Sequence, residues 1–256
     1  MLRPPLPLGK LSGKPQFAVF LFFIDKHFIL RTSYAILSSY MIITYQGGEF
    51  FKMQFGDTVV AFNPPAKESA LKSARFGADV AFVSLNHQDF NGTETLEFGD
   101  KKPFVISGPG EYEVKNIFIK GFKSKSHYGA GNGTKDKINT IYTLSLDSMN
   151  ICFLGALAED IDAETKEAID DVDLLFVPIG GEGVLTPAAA YKLAVKLEPK
   201  VIIPMHFGAV GDKNALKVFL KEAGEESVKP VDKLTLKKKD LEGKNAEVMV
   251  LEPVNA

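Results

Sequence analysis

Three short runs constrain this chain more than anything else in it: Val80 to Val83, Asp173 to Ile179 and Val201 to Met205 are almost wholly apolar. A run of four to seven apolar residues bounded by turn signals reads as a strand buried on both faces, and such strands need helices or a second sheet on either side. Around them the chain alternates. Met41 to Tyr45, Glu49 to Gln54 and Thr58 to Phe62 read as an antiparallel meander with a turn at Gly47-Gly48. Lys67 to Phe76 has helical spacing, with Ala70, Leu71, Ala74 and Phe76 able to share a face. Short strands follow at Phe104 to Ile106, Glu111 to Val114 and Ile117 to Gly121, then a Gly-, Lys- and Ser-rich loop from Lys123 to Lys137. Thr140 to Leu146 and Ile151 to Leu154 predict a hairpin, and a helix is expected from about Ala163 to Ile169. Thr186 is placed to cap a helix from Pro187 to Leu197, and another helix is expected over Lys213 to Ala223, ahead of strands near Leu234 and Val248. A β-rich first half and an alternating second half imply an α/β (α+β) layered sandwich.

Composition narrows the function classes. With 45% hydrophobic and 24% charged residues, the 256-residue chain has the balance of a folded globular protein. Thirty Lys and Arg against 32 Asp and Glu give a net charge of −2, so there is no overall basic field for a nucleic acid or an anionic membrane. The single cysteine, Cys152, forbids an intrachain disulfide and fits a reducing compartment, which makes the cytoplasm the expected location. Residues 1–40 differ from the rest: prolines 4, 5, 7 and 15, then an apolar stretch from Phe17 to Ile24 that breaks at Asp25-Lys26, well short of the about 20 residues needed to span a bilayer. They read as an extension outside the native domain, with Met41 as a candidate start and residues 41–256 as a single domain.

Four histidines are present: His27, His87, His127 and His206. His87 and His206 follow strands and His127 sits in the long loop, which is where layered α/β folds gather ligand sites. Asp89 lies two residues from His87, so imidazole and carboxylate could reach one metal from a single tight loop.

The order of Thr44-Tyr45-Gln46-Gly47, Phe62-Asn63-Pro64, Ser84 to Asn91, Pro109 to Val114, Asn139 to Tyr142, Cys152 to Gly155, Val177 to Gly181 and Ile203-Pro204-Met205-His206 resembles the metallo-β-lactamase superfamily, nearest its ascorbate-phosphate lactonase-like metal-dependent hydrolases. The resemblance implies a four-layer αββα sandwich with a zinc or manganese site between sheet edges. There, metal-bound hydroxide would attack a small ester, lactone or phosphorylated substrate. It also implies that His87 and His127 face one ion while Asp89 and His206 face another, with Asp89 the candidate catalytic residue.

The match departs from the family at the ligands. The strand-end H-x-H-x-D-H motif becomes Leu85-Asn86-His87-Gln88-Asp89-Phe90. A family histidine corresponds to Gly48, an aspartate to Asn63, and the metal-bridging aspartate to Ala156. A two-ion centre is therefore not expected, and His87, Asp89, His127 and His206 remain as ligands for one weakly held Zn or Mn ion. Two readings follow. One is a hydrolase with an atypical mononuclear site and a small-molecule substrate. The other is an inactive descendant serving as a binding or assembly module, its former metal pocket filled by Leu85, Phe90 and their neighbours. Neither reading fixes an oligomeric state.

Overall fold

The computed structural model describes residues 40–130 and 136–254. Residues 1–39, and with them His27 and the expected extension, lie outside the described residues. The described residues belong to one compact unit.

Two sheets face each other. The first has six strands in the order β12-β1-β2-β3-β4-β5, where β1 is Met41–Gly47, β2 Phe50–Phe55, β3 Thr58–Phe62, β4 Val80–Phe82, β5 Phe104–Ile106 and β12 Leu234–Leu236. β1, β2 and β3 form the expected antiparallel meander, and β4 and β5 continue it in parallel. The second sheet has seven strands in the order β13-β11-β10-β9-β8-β7-β6, comprising β6 Gly110–Val114, β7 Ile117–Ser126, β8 Lys137–Leu146, β9 Met149–Phe153, β10 Leu174–Pro178, β11 Val201–Met205 and β13 Glu247–Val248. Its apolar strands β9, β10 and β11 are mutually parallel.

Aromatic side chains fill the space between the sheets. Phe62 stacks on Phe82 at 4.7 Å and on Phe153 of the opposite sheet at 4.6 Å, and Phe51 meets Phe176 edge-on at 4.8 Å. All five rings are fully buried. Burying each contributes about 1.5–3 kcal/mol relative to exposure.

Helix α1 (Ala163–Ala168) is short and begins at Asp162, which accepts a hydrogen bond from the Thr165 backbone. Helix α2 (Pro187–Lys196) is capped by Thr186 as its sequence predicts. Helix α3 (Ala215–Ala223) meets α2 through Tyr191 and Phe219, and α2 packs on β10. The four-layer sandwich is thus recovered, with one local difference. The segment expected to be helical, Lys67 to Phe76, is turn and coil. Its start is tied to the loop after β4: Gly92 N donates to Pro64 O at 2.7 Å and Ala66 N to Gln88 O at 2.7 Å. A Cβ on Gly92 would lie 2.2 Å from Ala66 N, so the two chains touch backbone to backbone. Ala74 and Phe76 then cover Phe50, Val59 and Ala81 on the outer face of the six-stranded sheet, without a helical turn. Among the described residues, no helix is long and apolar enough to cross a membrane.

Two carboxylates anchor strand starts in equivalent ways. Asp79, just before β4, accepts from Val59 N and pairs with Lys101 and Lys115. Asp173, just before β10, accepts from Asn150 N and pairs with Lys200 and Lys238. Burial alone would raise both acids, but the lysine and backbone donors outweigh it and hold them below the usual carboxylate range. Their stabilisation is therefore complete above the unfolded value of about 4 and is lost as pH falls through the depressed folded values. Replacing Asp173 by Asn should lower stability at pH 7 by about 1–2 kcal/mol and flatten the acid limb of a urea-unfolding series. An unchanged limb would mean that Asp173 does not contribute in this way.

Candidate functional site

The ends of β1, β3, β4 and β11 meet at one edge of the sandwich. The turn from β1 to β2 runs through Gly47 and Gly48, both with positive φ, and so delivers Glu49 into the interior. Gly48 O accepts from Tyr45 Oη at 2.9 Å and from His206 N at 2.7 Å, joining the two sheets. His206, directly after β11, adopts φ 61°, and both its side chain and that of Glu49 are fully buried. Its Nδ1 lies 2.7 Å from Glu49 Oε1. The other carboxylate oxygen accepts from Asn63 Nδ2 at 2.7 Å, and Asn63 also bonds Ser84 through Oγ and the backbone N–H, each at 2.8 Å. Among the described residues, His206 Nε2 has no hydrogen-bond partner.

The loop after β4 folds tightly on itself. His87 N donates to Leu85 O and Phe90 N to His87 O, each at 2.8 Å, and Asp89 N donates to His87 Nδ1 at 3.2 Å. Asp89 accepts from Ser69 Oγ at 2.5 Å and from Tyr128 Oη at 2.7 Å. Burial holds His87 below the ordinary imidazole range, with Lys137 adding to the shift and Asp89 opposing it. A Cβ at Gly129 would lie 2.6 Å from His87 Nε2, so the Gly129 backbone closes over that edge of the ring.

Tyr128 occupies the centre. Its ring contacts His87 at 5.0 Å, Phe90 at 5.0 Å and His206 at 4.9 Å, edge-to-face with both imidazoles. Leu85, Phe90, Ala156 and Val184 form a buried apolar cluster with Tyr128 packed against it. Leu71 reaches over Gly48, where a Cβ would meet its Cδ1 at 2.9 Å. Burial, then the bond to Asp89, raises the phenol, and Asp89, Glu49 and Glu182 add to the shift through their charge. Beside this cluster opens a cavity of about 550 Å³, with Gln46, Leu71, Asp89, Tyr128, Val210 and Pro253 among its walls.

His127 does not join the others. Its Nε2 lies 3.3 Å from Asp136 and 3.4 Å from Glu159 on the exposed side, and the Lys125 ammonium bridges the same two carboxylates. The expectation that His127 points inward is corrected by one residue. β7 ends at the buried Ser126, whose Oγ accepts from Tyr128 N, and the turn that follows sets Tyr128 against the cluster while His127 stays half-exposed. Gly183 permits this, because a Cβ there would stand 2.7 Å from Tyr128 N and Cα. Neither Glu49 nor Tyr128 lies in a sequence motif that marks it as a site residue. The only available signal for Glu49 was an acid set directly against Phe50-Phe51.

A mononuclear catalytic ion needs three protein donors and an open position. One element of that arrangement is present, since Glu49 holds His206 Nδ1 while Nε2 is left without a partner, as a carboxylate behind a ligating histidine would do. The rest does not fit. Among the described residues, His127, Asp136 and Glu159 are the metal-capable donors that lie within 4.8 Å of one another, and His87, Asp89 and His206 form no such set. Leu85, Phe90, Ala156 and Val184 offer apolar contact there, which cannot replace an ion's hydration shell. Elsewhere, burial pushes the Cys152 thiol up to about 12, which leaves it inert.

Removing one partner of a buried pair strands the other. Glu49→Ala should cost about 3–5 kcal/mol in urea unfolding, and Glu49→Gln, which can still accept from Asn63, distinctly less. Equal midpoints for wild type and Glu49→Ala would contradict this assignment.

Residues 42–206 match the family described as the beta-lactamase superfamily domain. A metal-dependent hydrolase from Lysinibacillus sphaericus is 23% identical over 195 residues, covering 65% of this chain and 85% of the relative. One from Thermococcus onnurineus is 31% identical over 104 residues, covering 39% and 44%. A crystal structure of a Thermotoga maritima protein, assigned as a Zn-dependent hydrolase of the metallo-β-lactamase superfamily, aligns with a TM-score of 0.63 at 25% identity, over 83% of this chain and 98% of that one. The Igni18 metallo hydrolase of Ignicoccus hospitalis shares the fold at a TM-score of 0.53 and 16% identity, over 84% and 96%. Family match and structural likeness agree: this chain belongs to the beta-lactamase superfamily, with the fold of its metal-dependent hydrolases.

Proposed function

We propose that this chain keeps the hydrolase sandwich without metal-hydroxide chemistry and works in the cytoplasm as a small-molecule-binding module. The observation that carries this reading is the Tyr128 ring, packed against His87, Phe90 and His206 in the space an ion would need. Leu85, Phe90 and Ala156, each standing where a family ligand would be, join it in one apolar cluster. An ion placed there would lose its hydration shell without gaining enough donors to replace it. Asp89, the candidate catalytic residue, is then a hydrogen-bond acceptor for Ser69 and Tyr128 rather than a ligand. Cys152, with no second cysteine to pair with, supports the reducing compartment.

A second reading is favoured by the unpartnered Nε2 of His206 and by the names of the relatives. In it, one Zn or Mn ion held by His87, Asp89 and His206 serves the hydrolysis of a small ester, lactone or phosphorylated compound. Metal analysis separates the two. Protein expressed without a histidine tag and dialysed against zinc or manganese should retain well under one ion per chain, with any residue removed by His127→Ala at the exposed trio. One tightly held ion per chain, lost in His206→Ala and kept in His127→Ala, would establish the hydrolase reading instead.

A further inference from the structure

We propose that the cavity beside Asp89 binds a small organic cation: an amine carried on an apolar body. The inference rests on the metal-free reading above, because an ion on Asp89 would take up the carboxylate oxygens that an amine needs.

The argument begins with how this protein treats its other poorly exposed carboxylates. Asp79, 7% exposed, has Lys101 and Lys115, and Asp173, 3% exposed, has Lys200 and Lys238. Glu49, fully buried, has His206. Asp89 is 12% exposed, yet among the described residues no lysine or arginine nitrogen lies within 4.0 Å of it. Its donors are the neutral hydroxyls of Ser69 and Tyr128. The imidazole 3.5 Å away belongs to His87, whose Nδ1 accepts from Asp89 N and so offers the carboxylate no proton. A poorly solvated carboxylate without a cation is costly, and proteins ordinarily pair it. Here the carboxylate-bearing residue lines a cavity.

The cavity has the size and lining of a ligand site. About 550 Å³ accommodates a molecule of metabolite size, and Leu71, Val210 and Pro253 give it apolar walls. The Tyr128 phenol, bonded to Asp89, lines the same space. A phenol ring beside a carboxylate suits an ammonium group, attracted both by the charge and by the ring face.

Isothermal titration of the full chain with 2-phenylethylamine, 2-phenylethanol and phenylacetate tests the charge preference on one apolar body. The amine should bind at least about tenfold more tightly than the alcohol, and phenylacetate most weakly. Asp89→Asn should erase that preference, and Val210→Trp, which leaves Asp89 intact and fills the cavity, should remove binding altogether, both variants being checked for wild-type circular dichroism. Equal affinities for amine and alcohol, or an undiminished preference in Asp89→Asn, would overturn the proposal. Absence of amine binding to metal-free wild type would overturn it alone. Absence of amine binding together with one stoichiometric ion would overturn the metal-free reading as well.

Discussion

The contact between Glu49 and His206 is the constraint from which the site follows. It spans 157 positions in sequence and joins the two sheets at the edge where their strands end. A buried carboxyl-imidazole pair is weak evidence for net stability, since desolvation offsets much of the attraction. Its effect here is geometric. Glu49 can reach inward only because Gly47 and Gly48 turn the chain with positive φ, and it holds Asn63, itself at φ 46°, against Ser84. His206 is thereby fixed in rotation, with Nδ1 engaged and Nε2 left toward the aromatic cluster. The pair organises three strand ends at once.

What that cluster contains decides the chemistry. A hydrolytic ion needs converging donors and room for water, whereas Tyr128, Phe90 and Leu85 supply apolar contact. The Tyr128 hydroxyl is the exception, and it is spent on Asp89. On the proposed metal-free reading, fold and site point in different directions. The sandwich is that of metal-dependent hydrolases, because it is built by the apolar strands and the inter-sheet aromatic core, and neither depends on the ligands. A scaffold of this kind can exchange its charged centre for a ring without altering strand order.

Much of the fold was legible in the chain. The apolar runs at β4, β10 and β11 and the Thr186-Pro187 helix start are local signals, and each element appears within a residue or two of its expected bounds. The failures have physical causes. Lys67 to Phe76 carries a helical period, but the residues just before it, Pro64 and Ala66, are bonded to the loop after β4. β7 extends to Ser126 because Phe122, Ser124 and Ser126 keep pairing with β8, although their polar composition reads as loop. At the site, the proposal of missing ligands rests on the identities of Gly48, Leu85, Phe90 and Ala156. The positions of His127 and Tyr128 could not be read in the same way, because the turn after β7 decides which of two neighbours faces inward. Glu49 was hidden by a partner that only the closed sandwich brings near.

Cobalt(II) titration followed by visible absorption tests most directly whether the Tyr128 ring stands in the place of an ion. Wild-type protein should show no saturable ligand-field bands, and Tyr128→Gly should develop them at one equivalent, by opening the space before His206 Nε2 and releasing Asp89. Intense bands at one equivalent in wild type, abolished by His206→Ala, would contradict the account.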